Sequence, residues 1–313
     1  ATPIGDAQLT FTLNDGHAGS TTADVKVQSD SIYITFTNTQ DFNAAVGIAA
    51  TDGRDGGQTI VLDGSYASAA WSNLTGSLNI TEDLTVREEG ALKLRTQGSD
   101  TLTIASGKTF TLSSAANKPL ELYTKLLSGS STSALEVAMG TDTPLSLSAA
   151  SPSFAGRIGL SSGYLMPQDP DALGSATLVF KATSGSDFNG ALKTNSSYSN
   201  SVVLDSSSAY MNLRGSGTLS GTMDMAGGLG NIHTSGSTFT LSGVISNGGV
   251  NLTAGTLQLS NAVNTYAGAT TVAASASSNN FANTLILGGG LPNTSSLTVG
   301  AYGGLSGDGG SVG

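Results

Sequence analysis

Short runs of alternating apolar and polar residues punctuate this chain. ALKL (91–94), TLTI (101–104), TFTL (109–112), SVVL (201–204), TLQL (256–259), TLIL (284–287) and SLTV (296–299) are each bounded by Gly, Ser, Asn or Asp. A period of two puts the apolar set on one face of a strand. No stretch carries apolar residues at i, i+3, i+4 and i+7 between caps, so the pattern predicts strands and very little helix.

Strands this short and this frequent suit a β-sandwich, a barrel or a β-helix. A longer repeat decides among them. NTYAGATTV (264–272) has an aromatic, then glycine two positions on, then a small-residue strand. SPSFAGRIGL (151–160) and SDFNGALKT (186–194) match it, with Phe154 and Gly156, and Phe188 and Gly190. QDFNAAVGI (40–48) matches at Phe42, with Ala44 in the glycine slot. Leucine takes the aromatic slot at Leu74 with Gly76, Leu219 with Gly221, and Leu241 with Gly243, as Tyr266 stands with Gly268. Four residues after the aromatic or leucine come Val46, Leu78, Ile158, Leu192, Met223, Ile245 and Thr270, all apolar but the last.

The physical reading is a corner. A large side chain points inward, glycine allows a backbone angle that other residues avoid, and a new strand begins. The steps from Leu219 to Leu241 and from Leu241 to Tyr266 are nearly equal, within the range of roughly 20–50 residues that marks a repeat architecture. A sandwich has no reason to repeat at that period, whereas a solenoid does. The expectation is therefore an all-β fold, a single right-handed parallel β-helix over 1–313, of roughly 12–14 coils and on the order of 60 Å long. The aromatics of the slot, Phe154, Phe188 and Tyr266, should sit inside the coil or close its corner and not form a ligand platform. Loops near 161–174 and 195–200 should project.

Composition sharpens this picture. Charged residues make up 11% of the chain, and 42 of its 313 residues are glycine. That is under half the usual charged share, and Ser, Thr and Asn supply the polarity instead. Such side chains suit stacked strands, where they bond to neighbours in line. A net charge of −10 argues against nucleic acid or an anionic membrane as partner. The most apolar stretch, AAVGIAA (44–50), is far too short to span a bilayer, so no membrane insertion by this segment is expected. Cysteine is absent, which suits both a chain that must pass a narrow export pore unfolded and one that simply lacks the residue. Ala1 opens directly into polar sequence with no signal-peptide pattern, as expected of a processed product or of an excised piece of a longer chain.

The stretches GTLQLSNAVNTYAGATTV (255–272) and TLILGGGLPNTSSLTVGAYGGLSGDGGSVG (284–313) resemble the autotransporter-associated β-strand repeat. The likeness is good over 244–313, weaker but recognisable over 145–243, and mainly compositional over 1–144. The resemblance implies a passenger segment of a type V secreted protein of Gram-negative bacteria. It implies a right-handed β-helix displayed on the cell surface, with the membrane barrel and the signal peptide outside these residues. Many such passengers are adhesins, some of which bind copies of themselves on neighbouring cells.

Chemistry has few places to reside. His17 and His233 are the two histidines, far apart in sequence, and no GDSGS, GxSxG or GDSL-type block accompanies them. The carboxylate pairs Glu82–Asp83, Glu88–Glu89 and Asp169–Asp171 are the candidates for work on sugars, the serious enzymatic alternative on a β-helix. The first two read as edge charges and the third as a loop in MPQDPDALG. Asp52 and Asp55 in TDGRDGG lack the spacing and terminal Glu of a calcium loop. The reading is no catalytic residue, no cofactor and no metal. What remains is surface: an extracellular adhesin binding itself or a host protein or glycan, or else a spacer that presents another region.

Overall fold

A computed structural model describes residues 77–274 and 283–307, except 89–91, 97–99, 116, 187, 290 and 292. It also describes the strands Ala7–Asn14, Ser20–Gln28, Ser31–Ile34, Gln58–Leu62 and Trp71–Leu74. Phe42, Gly76, His17, Asp52, Asp55 and Glu89 lie outside the described residues. Among the described residues, every regular element is a strand.

From Gln58 onward the chain winds as a parallel β-helix. The first face stacks nine rungs, from Gln58–Leu62 to Ile245–Ser246, each parallel to the next. The second face stacks eleven, from Trp71–Leu74 to Leu297–Val299. A third face holds Leu78–Ile80, Thr101–Ile104 and Lys125–Ser128, and resumes from Ser197–Tyr198 to Gly303–Gly307. Eleven rungs at the usual strand spacing give a stack of about 50 Å.

Alternation drives this winding. Every second residue of a rung points inward and meets its counterpart one coil away. Ile60, Val86, Leu112, Val137, Leu160, Phe180 and Leu204 pair in succession, and all are buried. A parallel ladder of Leu84, Phe110, Leu135, Ile158, Leu178, Val202, Met223 and Ile245 runs beside them. Coils differ in length: the step from Leu84 to Phe110 takes more of the chain than the step from Ile158 to Leu178, and the corners absorb the difference. A shift of one residue would turn a whole rung's apolar set outward, so the register is strongly fixed.

Three expectations need correction. Among the described residues the coils number at most eleven, lower than 12–14, partly because Ala7–Asn14, Ser20–Gln28 and Ser31–Ile34 form a separate antiparallel sheet. Their connections, residues 15–19 and 29–30, are too short for a parallel crossover. Residues 161–167 are not a loop: Arg157–Pro167 is one strand that bends from the first face to the second, with Gly163 at φ +63°. The turn that follows buries Ala172 and Leu173 instead of projecting. Nor does 195–200 project as a loop, since Ser197–Tyr198 is a rung of the third face, and Tyr198 and Asn200 are buried.

The repeat proves to be a corner device used at several corners. Gly156, Gly221 and Gly243 occupy the same corner, because Ile158, Met223 and Ile245 belong to one ladder. Leu219 pairs directly with Leu241, so the interval between them is one coil. Tyr266 is not the next equivalent position, however. Leu241 pairs with Leu259, and Thr270 pairs with Val250 on the second face. Leu192 also lies on the second face and Leu78 on the third, with Leu74 opposite Thr96.

The glycines are also needed for a different reason from the one expected. Of the five described, only Gly190 has a left-handed backbone, φ +58°. At the others the preceding coil lies too close for a side chain. A Cβ would sit 2.4 Å from the Ser133 carbonyl oxygen at Gly156, and 2.2 Å from that of Asn200 at Gly221. At Gly243 the distance to the Gly221 oxygen would be 1.7 Å, and at Gly268 to the Gly248 oxygen 2.5 Å.

Candidate functional site

The winding fixes which side chains line the outside, and most of them bond along the stack. Asn251 donates to Asn231 Oδ1 at 2.8 Å, Thr271 donates to Asn251 Oδ1 at 2.5 Å, and Thr240 donates to Gln258 Oε1 at 3.2 Å. Charges follow the same axis. Lys108 Nζ reaches Glu82 at 2.6 Å, and Lys181 Nζ reaches Glu136 at 2.7 Å. Glu136 lies across Gly159 of the intervening rung, where a Cβ would collide with the carboxylate.

One cluster departs from this axial pairing. On the second face Leu165, Leu192 and Leu213 point inward in register, which turns Tyr164, Lys193 and Arg214 outward. Tyr164 is nonetheless only 9% exposed. Lys193 Nζ lies 5.4 Å from its ring centre and the Arg214 guanidinium 5.8 Å. Phe188 supplies a second ring, 6.2 Å from Tyr164 and tilted by 51°, with Arg214 4.4 Å from its centre. Cations over ring faces are attracted by the ring quadrupole. Burial pushes the Tyr164 hydroxyl pKa up, Asp142 adds to this, and Arg214 opposes it.

Hydrogen bonds between Asn212 and residues 184, 186 and 189 hold Phe188 in place. Asn212 points outward yet is fully buried, because its amide donates to the Ser184 and Asn189 carbonyls and its Oδ1 accepts from Ser186 N–H. Phe188 is therefore carried over the outer face, half-buried, and does not join the core as expected. The physical reason is the corner it belongs to: Asn189 and Gly190 already start the second face, leaving Phe188 outside the coil. Phe154 and Tyr266 do enter the core, at 0% and 2% exposure. Tyr266 donates to or accepts from Thr270 Oγ1 at 2.8 Å, and burial pushes its pKa up.

Neither Lys193 nor Arg214 has a carboxylate partner among the described residues. Arg214 stands in register between Lys193 and Ser235, and the Ser235 hydroxyl is buried without a hydrogen-bond partner. Sequence reasoning missed this group, although a signal existed. The dipeptides Leu192-Lys193 and Leu213-Arg214 repeat an apolar-cationic pair one coil apart.

The carboxylate candidates are tied into local structure. Asp83 accepts from the Thr109 N–H at 2.8 Å, beside the Glu82–Lys108 pair. Asp169 accepts from the Asp171 N–H at 2.8 Å, an Asx turn. Glu88 is 2% exposed at the end of Leu84–Glu88. His233 lies in Leu229–Ser235 against the covering segment, where a Cβ on Gly185 would come 3.2 Å from its Nδ1. Among the described residues no three His, Cys, Asp or Glu side chains could hold a metal.

A second feature lies at the start of the second face. Gly227, Gly228, Gly248, Gly249 and Gly268 stack at one corner and leave an open groove of about 600 Å³ beside the 37% exposed Leu229. Among the described residues no helix is long and apolar enough to cross a membrane. Comparison with family models, with curated proteins and with solved structures gave no match to this chain.

Proposed function

We propose that this chain is a segment of a bacterial surface-displayed adhesin, exported through the outer membrane, that joins cells by self-association or attaches them to host surfaces. The observation that supports it is the outer surface. Uncharged Asn, Thr, Ser and Gln side chains bond from rung to rung, as between Ser106 and Ser130 or Asn231 and Asn251, and leave flat polar ladders. Each contact such a ladder makes with a partner is weak, but many copies per cell multiply them. At physiological salt the Debye length is about 8 Å, so a net charge of −10 spread over the stack does little to hold two copies apart. Self-association through a two-fold axis is the favoured form, because one face can then complement itself. The resemblance to autotransporter repeats agrees with this reading.

The test is display of the segment on bacteria that do not aggregate. Settling that needs the protein on both partners supports self-association, and attachment to host cells without settling supports the heterotypic form. If neither occurs, while a longer protein containing the segment adheres, the segment is a spacer. Turnover of a glycan panel that disappears on replacing one carboxylate would instead establish an enzyme.

A further inference from the structure

We propose that Lys193, Arg214, Tyr164 and Phe188 form a binding site for an acidic sugar unit, one ring bearing a single carboxylate or sulfate. The chain is acidic overall, and its Lys108 and Lys181 are each matched to a glutamate. Lys193 and Arg214 are set side by side in adjacent rungs instead, on the same ring, and among the described residues no carboxylate forms an ion pair with either. Two like charges in register repel, and a sheet gains nothing from that arrangement unless an anion joins them. Asp142 is near enough to act on Tyr164, but it forms no ion pair with either cation.

The chemistry of the site selects its ligand. Contact with the Phe188 and Tyr164 rings restrains the Arg214 guanidinium, and a restrained fork can meet a carboxylate or sulfate through two parallel hydrogen bonds. The Lys193 ammonium adds a second charge without a geometric demand. The half-exposed Phe188 ring offers an apolar surface next to them, which suits the C–H face of a pyranose. Ser235, in the same row as Arg214, has a hydroxyl with no partner. One anionic group flanked by an apolar ring face and hydroxyls describes an acidic sugar. A polyphosphate or nucleic acid would bring many charges to a surface with two cations and a net charge of −10.

This inference deepens the adhesion reading and rests on it for its biological setting, but binding is measured on the purified chain. Oligogalacturonate, its methyl ester, dextran sulfate, neutral dextran and polyglutamate would be titrated by calorimetry, at low and physiological salt. The expected result is binding of oligogalacturonate, dextran sulfate or both, with neither neutral chain retained. Arg214→Gln and Lys193→Gln should each weaken it about tenfold to a hundredfold, the range of a lost charged hydrogen bond. Arg214→Lys should restore part of the loss, and circular dichroism should show every variant folded. Carboxylate and sulfate sources are told apart by which of the two anionic chains binds. The proposal is overturned if neither binds, if Arg214→Gln binds as well as the parent, or if polyglutamate binds equally. Settling of cells in the absence of glycan binding would leave the adhesion reading standing and remove this one.

Discussion

Replacing Gly243 tests why glycine recurs at these corners. Its backbone is not left-handed, and the obstacle is the carbonyl of the coil before. A Cβ would stand 1.7 Å from the Gly221 oxygen and 2.8 Å from that of Ser220. Both obstacles are backbone, so relief requires parting the two coils by more than about 1 Å against their spacing of roughly 4.8 Å. The bonds from Ser242 N–H to Leu219 O and from Met223 N–H to Val244 O, both 2.9 Å, flank the corner and would lengthen. Overpacking costs about 1–3 kcal/mol and each weakened hydrogen bond about 1 kcal/mol, so Gly243→Ala should lose about 3–5 kcal/mol. Asn, which tolerates the left-handed region, should do no better there. Gly107 is the control: its φ is +71° and no atom crowds its Cβ position. There Ala should cost about 1–2 kcal/mol, and Asn less. At Gly159 the nearest obstacle to a Cβ is the flexible end of Glu136, so Gly159→Ala should stay within about 1 kcal/mol. Urea unfolding followed by far-ultraviolet circular dichroism measures all five variants. If Gly243→Asn proves more stable than Gly243→Ala by about 1 kcal/mol or more, the corner selects glycine for its backbone angle and the close-approach argument fails.

Two further outcomes follow from the buried tyrosines. Tyr266→Ala should lose about 3–5 kcal/mol as a core truncation, whereas Tyr266→Phe, which removes one hydrogen bond of the Thr270 hydroxyl and leaves it its bond with Thr294, should lose about 0.5–1.5 kcal/mol in the same unfolding assay. A loss below about 1 kcal/mol for the alanine would place the ring outside the core. Burial holds the pKa values of Tyr164, Tyr198 and Tyr266 above the ordinary 10.0, which favours their neutral form in the folded chain. That contribution is fully present below pH 10.0 and declines as pH rises beyond it, because the unfolded chain releases those protons first. Stability should be insensitive to these groups up to about pH 10 and then fall, with tyrosinate absorbance appearing together with unfolding. Titration of all tyrosines near that pH in a still-folded chain would contradict this.

Particular residues show what each level of information decided. The period-two alternation of TFTL or TLQL already set strand type and inward residues, because a strand has two faces and one must leave water. The return of one motif from Leu219 to Leu241 set the solenoid, because each coil covers the apolar edge of the last. Sequence alone could not say which corner a motif serves, since a large side chain followed by a tight turn satisfies any corner. Phe154 and Phe188 share a motif, yet one is core and the other lies outside. Close approach between coils is likewise invisible along the chain, so glycine at Gly156, Gly221 and Gly243 looked like a demand for an unusual angle. The Tyr164, Phe188, Lys193 and Arg214 group belongs wholly to tertiary structure. Its members come from three successive rungs and the segment that covers them, and only the stacking of coils, one strand spacing apart, brings them onto one surface.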